Sequence, residues 1–481
     1  MLAAFLFIAS ISGCQALPQP ESGSTFESRQ VQWKDRGKTD RQEGEPKTDN
    51  QESESKAGKQ GIEPKTEKKA EDKLEKETVA QESLPSRYDA RTDGRTAPVK
   101  NQGDLGTCWA FASLLALESS LLPGESYDFS EDHMSHDPHF LLDQKSGGDY
   151  IMSMAYLLSW RGPVLEEEDP YGDGSSPEGL KAALHVQEIR ILPEYDREVI
   201  KAAVYRIGGV QSVLYTTLQG QTQDSRYYNK ETGAYYYSGT QQPNHDVVIV
   251  GWDDDYPAEN FTTPPPENGA FLCENSWGTG FGKDGFFYVS YYDTNLGATS
   301  LVYSGVESAD NYDAIYQSDL CGWLGQIGYG SERIWATNVY QATGTLQKVQ
   351  AVGFYAVDQN TEYEISILKN VPEHPSDADW KNLKRQKLGT TNGNVFYAGY
   401  YTIPLAEAVE VASGERFAVL IEVKTPGAVH PMAIEYDAQD GRCQVDLTDG
   451  EGYISADGDL WESAETQQAC NLCLKAYTAW E

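Results

Sequence analysis

Residues 101–118 read NQGDLGTCWAFASLLALE, and the setting of Cys108 within them decides how the chain is read. A turn precedes it, with Gln102-Gly103 and Gly106-Thr107. An apolar run rich in Ala and Leu follows, from Trp109 to Leu117. Its length and composition predict a buried helix rather than a strand. A cysteine in that place is either a small core residue or a nucleophile, because the partial positive charge of a helix N-terminus favours a thiolate. A thiolate mechanism also needs an imidazole, to pair with the sulfur and to protonate a leaving amine.

Among seven histidines, His245 has the most suggestive setting. It follows Pro243-Asn244 and heads the apolar run Val247-Val248-Ile249-Val250, which reads as a buried strand. A histidine at the head of a core strand can point into a cleft from a rigid support, although by itself a structural role is the commoner one. A third stretch shifts that balance. Residues 269–282 read GAFLCENSWGTGFG. Asn275 at the end of another predicted strand could accept a hydrogen bond from the His245 ring and fix its tautomer, and Trp277 could cover that bond. Cys, then His, then Asn far downstream is the order of a Cys-His-Asn site.

On these blocks, residues 84–305 resemble the papain-like cysteine peptidase family. Leu84-Pro85-Ser86-Arg87-Tyr88-Asp89 followed by Pro98-Val99-Lys100-Asn101-Gln102-Gly103 is similar to that family's mature N-terminus. The resemblance implies a two-lobed α+β domain with Cys108 as nucleophile, His245 as its ion-pair partner and acid/base, and Asn275 as the group that orients His245. Gln102, six positions before Cys108, would join the backbone N–H of Cys108 in holding the oxyanion. Gly147 and Gly148 would bind the substrate backbone, Trp277 would line the site, and Glu118 would be a structural acid on the nucleophile helix. Gly162-Pro163-Val164 to Asp169-Pro170-Tyr171 is similar to a loop of the family. The chain departs from the pattern at Leu105, where many members carry a disulfide-bonded cysteine, and at Thr107, where serine is common. No helical propeptide signature is present.

The chain has 481 residues and a net charge of −36. Residues 1–83 hold 13 Lys/Arg against 16 Asp/Glu, so −33 lies on 84–481. So acidic a body excludes nucleic-acid binding by phosphate neutralisation and suits an exported protein. The start, MLAAFLFIASISGCQALP, has an apolar run too short to span a bilayer. It ends in Ile11-Ser12-Gly13-Cys14, which resembles a bacterial lipobox and implies acylation of Cys14, although no Lys or Arg precedes the run. Cleavage after Ala16, giving a secreted protein, is the other reading. Residues 15–83 are polar and charged and read as a disordered stalk, with an inhibitory propeptide as the alternative.

From about Tyr312 the texture changes. Runs at 348–357, 362–368, 400–403, 416–423 and 433–436 read as the strands of a β-sandwich. Tyr312-Asp313-Ala314-Ile315-Tyr316 and the terminal Asn471-Leu472-Cys473-Leu474-Lys475 resemble the lectin-like domain that follows papain-like modules in bacterial surface proteases of the clostridial type. Cys321, Cys443, Cys470 and Cys473 allow three pairings, among which sequence does not choose. Metal or redox chemistry at Cys470-Asn471-Leu472-Cys473 rests on a lone CxxC, and solvent exposure is the default for His133, His136 and His139. The acidic loops 446–451 and 457–459 could hold Ca²⁺; catalysis requires no cofactor and no metal is assigned.

The expected organisation is a lipoprotein-type signal peptide at 1–14, a stalk at 15–83, the peptidase at 84–308 and the lectin-like all-β domain at 309–481. The expected activity is cell-surface endoproteolysis of protein or peptide substrates, with the C-terminal domain contacting a cell-wall polymer. The alternative is a catalytically silent adhesin or glycan-binding module. Natural substrate, side-chain preference and latency mechanism are not legible.

Overall fold

The computed structural model describes residues 5–7, 83–218 and 225–480. Cys14 and the charged stretch 15–82 lie outside the described residues. Among the described residues, no helix is long and apolar enough to cross a membrane.

Cys108–Leu121 is an α-helix, buried from Cys108 through Ser119. It is apolar on every face because other elements surround it: the helix Tyr150–Leu158 and the strands His245–Asp253 and Ser300–Ser308 pack against it. Its one buried acid is neutralised locally. Glu118 Oε1 accepts bonds from Lys100 Nζ and the Phe129 N–H, both at 2.9 Å, and Lys100 also reaches Glu131 at 2.9 Å. The structural role expected of Glu118 therefore has a defined partner.

Facing this helix, Val210–Leu214, His245–Asp253, Ala270–Glu274 and Phe286–Ser290 pair antiparallel in that order. Ser300–Ser308 extends the sheet by pairing with both Val210–Leu214 and Leu184–Ile191. The far edge of Leu184–Ile191 pairs with the start of Ala398–Val411, Tyr400 opposite Ile189. The N-terminal and C-terminal regions thus share one continuous sheet, which continues through Gln347–Ala356 and Leu474–Trp480 to Ala314–Tyr316.

A six-stranded sheet covers the C-terminal part, in the order Leu388–Val395, Thr361–Lys369, Arg416–Lys424, Arg333–Gln341, Gly452–Ser455, Glu462–Ser463. Val349, Phe354, Ile365, Ile367, Val419 and Ile421 fill the sandwich. The five runs expected as strands all lie in or overlap observed strands. Other strands, Arg333–Gln341 among them, and a short α-helix were not anticipated. Asp377–Leu383 is a short helix started by a capping box of Ser376 and Asp379, with Trp380 buried. Seven residues are too few for a helical period to stand out.

Of the three pairings open in sequence, the structure forms one bond, Cys321–Cys443, and leaves Cys470 and Cys473 as buried thiols. The segment around Cys443 crosses to the region that holds Cys108. Leu141 N–H donates to Arg442 O at 2.8 Å, Gln444 N–H donates to His139 O at 2.9 Å, and Arg442 pairs with Asp149. Within the acidic loops, Asp446 accepts from Thr448, Asp457 from the Asp459 and Leu460 N–H groups, and Glu451 pairs with Arg416.

Candidate active site

The site is assembled where the start of the Cys108–Leu121 helix meets the start of the strand His245–Asp253 and the end of the strand Ala270–Glu274. The helix starts at Cys108, and its N-cap residue Thr107 makes no side-chain capping bond. The Thr107 hydroxyl instead meets Tyr171 Oη at 2.6 Å. The first N–H groups of a helix have no partner one turn back; here the Thr107 carbonyl takes the Ala110 N–H at 3.0 Å but no side-chain oxygen caps the turn, so the helix end keeps positive character for an anion.

His245 opens its strand and is 4% exposed. Its Nε2 lies 2.8 Å from Asn275 Oδ1, which also accepts the Ser276 N–H at 2.9 Å. With Nε2 bound to an acceptor, that nitrogen carries the proton, and Nδ1 is the nitrogen left for sulfur. The Trp277 ring stacks on the imidazole, centroids 4.5 Å apart, and is itself braced edge-on by Phe281 at 5.0 Å. Burial pushes the His245 pKa down. The hydrogen bond and charge of Cys108 and the bond to Asn275 outweigh it, so the net shift is upward. That direction belongs to an imidazolium held by a thiolate.

Gln102 is buried beside this pair. Its Nε2 donates to Leu105 O at 2.7 Å and its Oε1 accepts from Ser276 Oγ at 2.6 Å. One of the two amide N–H groups is used by Leu105, and the plane of the amide is fixed from both ends. Its backbone is bound as well: Gln102 N–H donates to Ser276 O at 2.8 Å, and Tyr171 Oη donates to Gln102 O at 3.0 Å.

Gly147 and Gly148 are buried, just before the helix that Asp149 caps. A Cβ on Gly148 would sit 2.5 Å from the Trp109 indole, and one on Gly106 would sit 2.9 Å from Gly147 N. With Leu105 in place of a disulfide-bonded cysteine, Gly106 N–H donates to Gln144 O at 2.7 Å, tying the turn before Cys108 to the segment that leads into the glycine pair. Trp277, expected to line the site, is buried over the imidazole, so it shields His245 from water.

The structure brings Cys108, His245, Asn275, Gln102 and Trp277 together. It does not join the three histidines of the 133–139 stretch: His133 Nδ1 bonds Tyr156 Oη at 2.7 Å, and His139 Nδ1 lies 3.1 Å from Asp137. Sequence reasoning gave no role to Tyr171 or to the Ser276 hydroxyl. Both stood inside quoted blocks, but which atom each would grip depends on the fold.

A sulfur at a helix N-terminus, paired with an imidazole that an amide orients, defines a cysteine peptidase unit of the papain class. Comparison with known proteins agrees: residues 84–306 match the papain family of cysteine proteases and residues 315–478 match the lectin-like domain. The chain carries a papain-family cysteine protease domain followed by a lectin-like domain. Among solved structures, it resembles the clostridial cysteine protease Cwp84 after propeptide cleavage, with a TM-score of 0.73 and 27% identity over 82% of this chain and 100% of that one. A second structure holds the cysteine protease and lectin-like domains of Cwp84, a surface layer associated protein of Clostridium difficile. It gives a TM-score of 0.72 and 27% identity over 83% of this chain and 90% of that one. Cathepsin K of Gallus gallus is 32% identical over 212 residues, 42% of this chain and 58% of the relative. The chain spans 58% and 50% of the first two curated relatives it matches, the second a cysteine protease of Ambrosia artemisiifolia.

Proposed function

We propose that the protein is an endopeptidase that hydrolyses peptide bonds of protein substrates through an acyl-thioester at Cys108. The sulfur attacks the scissile carbonyl while the Gln102 amide and the backbone N–H of Cys108 hold the oxyanion. His245 gives its proton to the leaving amine, and the C–N bond breaks. A water then loses its proton to His245 and attacks the thioester, releasing the acid and restoring the thiolate. Asn275 keeps the imidazole aimed throughout. Gly147 and Gly148 bind the substrate backbone. The observation that carries this reading is the buried His245–Asn275 bond, roofed by Trp277, at the uncapped start of the Cys108 helix.

The protein acts outside the cell, tethered by an acylated Cys14 and a flexible stalk over 15–83, with the peptidase at 84–308 and the lectin-like domain at 309–481 contacting a cell-wall polymer. The lipobox-like Ile11-Ser12-Gly13-Cys14, the polar composition of the stalk and the likeness to a surface layer associated protease support this. The test is incubation with a thiol-directed epoxide and with casein. Epoxide on the Cys108 peptide and loss of casein cleavage in Cys108→Ala are expected. No labelling, or unchanged cleavage in that variant, contradicts the reading.

A further inference from the structure

The loop that carries Tyr171 also gathers carboxylates. Asp169 and Asp173 stand two residues to either side of Tyr171, and Asp132 comes from the short helix Glu131–Ser135. One oxygen of each lies within 4.8 Å of the others. Asp132 and Asp169 are 0% and 1% exposed, whereas Asp173 opens to solvent. Asp132 Oδ2 and both oxygens of Asp169 are buried without a well-formed hydrogen bond, the Ser176 hydroxyl being set beside Asp169. Asp132 Oδ1 accepts from Gln144 Nε2 at 2.6 Å and lies 3.8 Å from His136 Nδ1. The neighbouring strong cations pair elsewhere, Lys100 with Glu118, Asp128 and Glu131, and Arg161 with Asp137.

A buried carboxylate short of hydrogen bonds is costly, and a second one beside it adds to the cost. A divalent cation removes both penalties at once. The donors are hard oxygens, the type that Ca²⁺ takes at about 2.3–2.6 Å. Oxygens no more than 4.8 Å apart can all reach one ion at that radius, and Mg²⁺, which demands near-ideal octahedral geometry and dehydrates reluctantly, suits an all-protein cage less well. The exposed side of Asp173 leaves room for entry and for water ligands.

We propose that Asp132, Asp169 and Asp173 form a calcium site, joined by the Ser176 hydroxyl, that fastens the 169–176 loop to the helix Glu131–Ser135. The consequence reaches the active site. Tyr171 lies between two of the ligands, and its hydroxyl holds Thr107 and the Gln102 carbonyl. Its ring packs edge-on against Phe111 of the nucleophile helix. Calcium would therefore stiffen the brace that sets the start of that helix. The sequence reading placed possible calcium only in the C-terminal acidic loops. The structure points to aspartates that no spacing pattern links.

The test is calorimetric titration of EDTA-treated, dialysed protein with CaCl₂ at pH 7.5, paired with thermal unfolding and a MgCl₂ control. Expected are one calcium per chain and a melting temperature that rises with calcium more than with magnesium. Asp173→Asn, at an exposed position, should weaken binding at least about tenfold, and Asp169→Asn should abolish it. Asp457→Asn in a C-terminal acidic loop should bind as the parent does. Circular dichroism of the calcium-free variants checks that they fold. No calcium binding by the parent at millimolar concentration, or equal binding by the parent and Asp173→Asn, would overturn the site.

Discussion

His245, at the start of one strand, and Asn275, just past the end of its neighbour, stand thirty residues apart and meet through a bond of 2.8 Å that Trp277 covers. The strand pairing that sets Ile249 opposite Cys273 carries both to the same end of the sheet. Neither needs a loop to find the other. Asn275→Ala should leave the fold intact and lower kcat about 10²-fold, because the imidazole loses the acceptor that fixes its tautomer. Steady-state kinetics on a fluorogenic peptide checks this, with kcat falling more than KM rises.

Gln102 is gripped by the Leu105 carbonyl and the Ser276 hydroxyl. Gln102→Ala should cost about 10²–10³ in kcat, the scale of one oxyanion donor. Ser276→Ala keeps the donor and frees only its orientation, so it should cost less, about tenfold. Equal losses in the two variants would show that the hydroxyl acts in some other way.

The raised pKa of His245 gives pH a definite sign. An unperturbed histidine titrates near about 6.5. The ion pair with Cys108 contributes its full stability below that value and loses it as pH rises through the higher folded value. The alkaline limb of kcat/KM should thus lie above about pH 6.5 in the parent. In Asn275→Ala it should move to lower pH, since one of the bonds that raise the pKa is gone. A pH–rate profile of both proteins reads the shift.

The seam between the two domains makes a separate prediction. Asp149 caps the helix that follows the glycine pair, is 3% exposed, and pairs with Arg442 from the lectin-like domain. Arg442→Ala strands that carboxylate and should cost about 2–5 kcal/mol, read as a fall in the urea midpoint. Cys321→Ser should lower stability by about 2–4 kcal/mol, because the bond closes a loop of 122 residues.

Much of this was legible in the sequence. The helix start at Cys108, the strand start at His245, the strand end before Asn275 and the sandwich strands follow from apolar runs, which report burial directly. What stayed hidden depends on contacts between distant segments. Nothing local in Ala398–Val411 says that its first residues will pair with Leu184–Ile191 and fuse two domains into one sheet. The partner of Cys321 was equally invisible, since pairing is set by where loops dock. Tyr171 was quoted without a role because the reach of its hydroxyl to Thr107 and Gln102 exists only once the loop folds back.

The central claim is a Cys108 thiolate stabilised by His245. Its most direct test is the pH dependence of Cys108 alkylation by iodoacetamide, followed by peptide mass mapping that separates it from buried Cys273, Cys470 and Cys473. The account predicts fast labelling of Cys108 at pH 5 in the parent, well below the ordinary thiol value of about 8.5, and labelling only near that value in His245→Ala. The same pH dependence in both proteins would contradict it.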